Sequence, residues 1–206
     1  HYVDHIALWR EELRAWVPET IFDAHVHLGP PEVMGPLTVE RRKEGLGAFT
    51  HLRWEEFSEF YGELYSGKTL AGLIAFPFPL REVNLEAAND YMIELMRRDQ
   101  SDSASPQVRG FLLSHPTETH RAVSAYEKSL DAGVPFRGVK PYYDLLGKSN
   151  YETTMPEFIP EDLLEFMNDN GLVMMLHTSG LGVGDRDNQK YLRSVATRFP
   201  RVKIIL

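Results

Sequence analysis

Ile21-Phe22-Asp23-Ala24-His25-Val26-His27-Leu28-Gly29, followed by Pro30-Pro31, is the stretch that decides how the chain is read. Its apolar, β-rich residues and the closing Gly-Pro-Pro read as a short strand. The strand does not run into Gly-x-Gly, the phosphate loop that usually opens a doubly wound dinucleotide-binding sheet. It ends in two histidines instead. Side chains alternate faces along a strand, so His25 and His27 are expected on one side together with Asp23. Two imidazoles and a carboxylate in an otherwise apolar strand cost desolvation unless they are paired or metal-bound.

Five more apolar runs follow, at 70–78, 108–113, 136–143, 172–176 and 202–206. Most carry few internal charges, as expected of parallel strands buried on both faces. Helical spacing fills the gaps at 86–98, 120–132, 160–170 and 187–199. Gly133 and Gly171 stand where C-terminal caps belong, and Pro200 stops the last helix. Before the first strand, Ile6, Trp9, Leu13 and Trp16 form one helical stripe. The two tryptophans are expected either to pack on the domain or to face a second subunit, which leaves a homo-oligomer open.

Strands alternating with helices define an α/β chain built of βαβ units on a parallel sheet. A doubly wound sheet and a (β/α)₈ barrel compete. In the barrel, catalytic side chains come from the C-terminal ends of several strands, and there the unusual polar residues fall. The fold expected is a TIM-like (β/α)₈ barrel of which about six βα units are present. Such barrels need roughly 250 residues, and this chain has 206. It opens on His1 and closes inside an apolar run, so the expectation is one domain over 1–206, truncated at its C-terminus, with a native terminal strand as the alternative. A helical insertion is expected around 30–69. Its charged and aromatic patch at 54–65 reads either as a lid over the barrel mouth or as a surface helix packed on the barrel or on a partner.

The composition narrows the function. Lys plus Arg number 22 and Asp plus Glu 30, a formal net charge of −8, which argues against general nucleic-acid binding. No apolar run approaches the ~20 residues of a membrane span. There is no cysteine, so disulfides, thiolate metal sites and cysteine nucleophiles are excluded. A cytoplasmic location is the expectation, although any targeting segment before His1 would be missing.

The candidate site grows from the strand ends. His177 closes the fifth apolar run and precedes Thr178-Ser179-Gly180. Strands one and five of a barrel face each other across one cavity, so His25, His27 and His177 can converge on one divalent ion, zinc first, with manganese, iron or cobalt as alternatives. Lys140 ends the fourth run in Gly138-Val139-Lys140-Pro141. It is expected to bind an anionic substrate group, to bridge two metals after carbamylation, or to reach the barrel mouth with its stem packed. Tyr142 shares its parity. His115 closes the third run and is either a pocket residue or a turn residue capping the next helix. His1, His5, His51 and His120 fall in helical or charged surroundings and are expected to be solvated.

Asp23-Ala24-His25-Val26-His27, then Gly138-Val139-Lys140-Pro141, then Leu176-His177-Thr178-Ser179-Gly180 resemble, in order and spacing, the amidohydrolase superfamily, and within it the amidohydrolase-related (amidohydrolase 2) branch. The resemblance spans nearly the whole chain. It implies a (β/α)₈ barrel with His25, His27 and His177 as metal ligands and a mononuclear site in which Lys140 lines the substrate pocket. It also implies a strand-six His and a strand-eight Asp, both beyond Leu206, so the likely general base cannot be named. Members of the family hydrolyse amides, esters and lactones, and others decarboxylate or hydrate carboxylated ring-derived acids. The resulting expectation is a metal-dependent hydrolase of a small anionic amide, ester or lactone. A metal-dependent decarboxylase or lyase is the alternative, and a non-catalytic ligand-binding barrel the third reading.

Overall fold

A computed structural model describes residues 5–43, 50–101 and 106–206; His1 lies outside them. Six strands, β1 (Thr20–His27), β2 (Thr69–Phe76), β3 (Gln107–Ser114), β4 (Gly138–Pro141), β5 (Val173–Met175) and β6 (Lys203–Ile205), form one sheet. Every neighbouring pair is parallel, and the spatial order follows the chain order from β1 to β6. A doubly wound sheet reverses its order at a switch point; this one does not, and it curls into a half-barrel.

Eight α-helices lie among the described residues. They are α1 (His5–Leu8), α2 (Val39–Arg41), α3 (Trp54–Leu64), α4 (Leu85–Ser101), α5 (Thr119–Asp131), α6 (Met155–Phe158), α7 (Glu161–Asn170) and α8 (Arg186–Arg198). None is long and apolar enough to cross a membrane.

The strands are apolar on both faces because both faces are used. Leu73, Ala75, Leu112, Val139 and Met174 pack outward with Met92, Met167 and Val195 of the helices. Phe76, Phe111 and Met175 turn inward with Ile74, Val173 and Ile205. Gly138 lets β4 close into this layer. A Cβ there would lie 2.5 Å from the Phe111 ring and 2.3 Å from the Val173 carbonyl oxygen.

Several elements differ in extent from their apolar runs. β4 stops at Pro141, which has no N–H to extend the ladder, and Tyr143–Leu146 turns into a 3₁₀ helix. Tyr142 and Tyr143 therefore belong to the loop at the strand end. The N-terminal stripe is interrupted as well. Trp9–Leu13 forms a π-helical turn, whose wider pitch breaks the three-and-four spacing. Trp9 is buried edge-on against Tyr65 at 5.1 Å between ring centroids, whereas Trp16 is 81% exposed.

The insertion contains the 3₁₀ turn Pro31–Val33 together with α2 and α3. Phe57 and Tyr61 of α3 are buried in the outer core. Bridges pair Gly29 with Leu52 and Met34 with Val83, which fasten the segment to the strand ends.

Candidate functional site

The β1 histidines are aimed by a break in pairing. Asp23 lies opposite Leu73 and Val26 opposite Ala75. Ala24 and His25 thus share the space opposite the single residue Ile74, a β-bulge. His27 stands opposite the inward-facing Phe76, and the His25 ring meets Phe76 at 4.9 Å between centroids. Both histidines face the concave side.

Asp23 does not join them. Simple alternation puts it on the histidine face, but the extra residue at the bulge leaves it opposite the outward-facing Leu73. There its charge adds to burial in pushing the Tyr61 hydroxyl up to about 12. Its carboxylate accepts the His25 backbone N–H at 3.0 Å, so Asp23 helps hold the bulge that turns His25 inward.

Around the histidines the strand ends assemble an aromatic ring. His25 and His27 lie 5.3 Å apart between centroids. His27 packs on Phe76 at 4.6 Å and Phe78 at 5.3 Å, with Nδ1 3.4 Å from the Pro77 carbonyl oxygen. Lys140 reaches into the same space, its Nζ 5.0 Å from the Phe76 ring centre and 5.8 Å from that of Tyr142. The Tyr142 ring meets His177 at 4.4 Å, and Tyr143 meets it at 5.1 Å. The structure thus brings His25, His27, Lys140, Tyr142 and His177 together at the C-terminal ends of β1, β4 and β5.

The electrostatics of the cluster are unusual. Lys140 is only 2% exposed. Among the described residues no carboxylate pairs with its ammonium and no hydrogen bond satisfies it. Burial alone brings its pKa down to about 8. Burial, reinforced by His25 and Lys140, holds His27 down to about 3, and burial with Lys140 holds His177 down to about 4. His25 shifts the same way, with burial and Lys140 outweighing Asp23. The imidazoles are therefore neutral at physiological pH, the state in which they ligate metals.

Three neutral imidazoles are a fitting donor set for zinc or another borderline divalent ion. Among the described residues, however, no group of three His, Cys, Asp or Glu side chains is drawn into ligating geometry. His25 and His27 form a pair, and His177 is packed on Tyr142 and Tyr143.

His115 is placed elsewhere. Its Nδ1 accepts the Thr117 backbone N–H at 3.3 Å and lies 3.8 Å from Glu118 Oε2. The ring is engaged in the turn before α5, and no ring contact or ion pair links it to the cluster. His5, His51 and His120 are exposed, as expected.

Sequence reasoning missed the most extensive polar construction near the site. Arg41 of α2 is 6% exposed and Asp144 is 4% exposed. Arg41 Nε donates to Glu82 Oε1 at 2.7 Å, and its Nη1 donates to Asp144 Oδ1 at 3.1 Å. Arg81 donates to Asp144 as well, from Nη2 at 2.7 Å and from its backbone N–H at 2.9 Å. The four charges tie the loops after β1, β2 and β4 to one another. With Tyr142 and Tyr143, Arg41, Arg81 and Asp144 line a cavity of about 520 Å³. The only sequence signal is a set of charges in loops, with Arg41 and Asp144 standing 103 positions apart.

Compared with known protein families and with curated proteins, the chain matches none.

Proposed function

We propose that this chain forms most of a (β/α)₈ barrel and acts as a metal-dependent hydrolase of the amidohydrolase-related kind, on an amide, ester or lactone of a small anionic molecule. One observation carries the reading. Lys140 is a buried cation with no carboxylate beside it among the described residues, and it faces three histidines held neutral at the strand ends. A buried charge is costly unless something pairs with it. A carboxylate on the substrate supplies that partner.

His25, His27 and His177 would hold the ion, and Asp23 would keep His25 in place through its backbone N–H. A bound divalent ion brings the pKa of a water molecule toward about 7 and polarises a carbonyl. The other residues do the rest of the work. Lys140 binds the substrate's anionic group. Tyr142, lying between Lys140 and His177, fixes that group relative to the histidines. Phe76 and Phe78 flank the His27 ring and screen it from water, which strengthens the charge interactions there.

The same unpaired ammonium also suits a carboxylate that is lost rather than retained, so a metal-dependent decarboxylase is the second reading. The test is a screen of anionic esters, lactones, amides and carboxylated ring compounds with zinc, manganese or cobalt supplied, reading both hydrolysis and CO₂ release. Hydrolysis that disappears in Lys140→Met supports the first reading. Release of CO₂ from a carboxylated substrate with no hydrolysis selects the second. Turnover of neutral substrates with Lys140→Met unimpaired contradicts both. Binding without turnover points to a ligand-binding barrel.

A further inference from the structure

We propose that Arg41 and Asp144 are positioning residues: their buried pair locks the Tyr142–Tyr143 wall against His177 and keeps Lys140 enclosed. The inference rests on the arrangement of Lys140, Tyr142 and His177 and not on the reaction assigned to them.

The argument starts from the chain. Asp144 follows Tyr143 directly and stands four residues after Lys140. Beyond Pro141 the backbone leaves the sheet, so no ladder hydrogen bonds fix Tyr142 and Tyr143. Their anchors are of other kinds. The two rings stack on each other at 4.6 Å and 27°, and the next residue is gripped by two guanidiniums. Arg41 engages both carboxylate oxygens of Asp144, and Arg81 closes on the same carboxylate from side chain and backbone. Paired N–H donors set the direction of a carboxylate as well as its distance.

The other end of the latch is equally fixed. Arg41 begins from a turn capped by Thr38, whose Oγ accepts the Arg41 N–H at 3.2 Å. Its guanidinium is shared with Glu82, whose backbone carbonyl accepts the Gly35 N–H at 2.9 Å. A force on Tyr142 therefore passes through Asp144 and Arg41 into two separate loops. On the site side, Tyr142 is in ring contact with His177 and stands beside the Lys140 ammonium. The latch and the site share this one aromatic wall.

The test reads the enclosure of Lys140 directly. The chain is treated with cyanate, which adds to a neutral amine to give a carbamoyl-lysine with nothing released. Labelling of Lys140 relative to the exposed Lys190 is then read by peptide mass spectrometry at several pH values, up to the range where both amines are neutral, so that the ratio there reports access and not protonation. Asp144→Asn should raise that ratio at least about fivefold, and Arg41→Met should do the same. Arg41→Lys keeps the charge but loses the fork, so it should fall between them and the unaltered chain. The double variant Arg41→Met/Asp144→Asn leaves Arg81 and Glu82 with opposite charges. It serves where a single variant fails to fold, and should label like the singles. Met167→Ala, a cavity in the outer core, supplies the comparison for general loosening. If the ratio is unchanged in the folded latch variants, or rises as far in Met167→Ala at matched stability, the positioning role is overturned.

Discussion

The Tyr142 ring lies against the His177 imidazole at 4.4 Å between centroids, the closest of the aromatic contacts at the strand ends. The contact joins β4 to β5 above the sheet and makes Tyr142 a shared wall. His177 is on one side of it and the Lys140 ammonium on another. Replacing Tyr142 by Leu should weaken binding of small carboxylates several-fold while leaving the fold intact. Titration of the folded variant with a carboxylate, followed by NMR, checks this.

Lys140 should cost stability for the function it serves. Replacing it by Met removes a buried, unpaired charge and keeps the volume. The variant should gain on the order of 3 kcal/mol at neutral pH, from the gap between a folded pKa of about 8 and an ordinary value of 10.5. The sign follows from proton counting. Between these two values the unfolded chain binds the extra proton, so stability of the unaltered chain rises with pH through that window. The advantage of Lys140→Met should shrink over the same range in denaturant titrations at several pH values. A constant advantage would mean that Lys140 is paired in solution.

The Asp144 carboxylate should make the fold acid-sensitive. Arg81 and Arg41 hold its pKa below the ordinary 3.8 against the opposing effect of burial. Its contribution is therefore complete above that value and lost as pH falls through the lowered one. Asp144→Ala should cost about 3–5 kcal/mol at neutral pH, because it strands buried guanidiniums. The gap between the variant and the unaltered chain should close in acid. Arg41→Met/Asp144→Ala should cost less than the sum of its parts. Chemical denaturation of the four chains gives the coupling.

Asp23→Ala separates a supporting residue from a ligand. Loss of its bond to the His25 N–H should cost roughly 0.5–1.5 kcal/mol. It should leave the metal content unchanged, because the side chain is on the helix side of the sheet. If metal content falls as far as in His25→Ala while the fold is kept, Asp23 belongs to the ligand set after all.

Much of the fold could be read from the chain because burial on both faces leaves a plain signature. Each of the six apolar runs overlaps one of the six strands, and the helix ends fall near Gly133 and Gly171, whose positive φ values of 74° and 64° suit C-terminal caps. What stayed hidden depends on geometry that no pattern encodes. The bulge at Ala24 and His25 changes the face of Asp23 by one inserted residue. The turn after Pro141 decides that Tyr142 and Tyr143 form a wall. The Arg41–Asp144 latch joins loops far apart in the chain, and its residues look like ordinary surface charges until they are seen buried. The candidate site was legible for the opposite reason. His25, His27, Lys140 and His177 are polar groups at the ends of apolar strands, where alternation and strand order bring them to one place, while Tyr142 reaches them only through the turn after Pro141. His115 met the same criterion but is turned away by its hydrogen bonds to Thr117.

The central claim is that His25, His27 and His177 hold one divalent ion beside Lys140. The most direct test is the metal content of the purified chain after incubation with zinc, manganese, iron(II) or cobalt and removal of the excess, set beside His25→Ala/His27→Ala and His177→Ala variants that remain folded. The account predicts about one ion per chain, lost in the double variant and strongly reduced in His177→Ala. No retained ion, or an ion retained equally by all three chains, would contradict it.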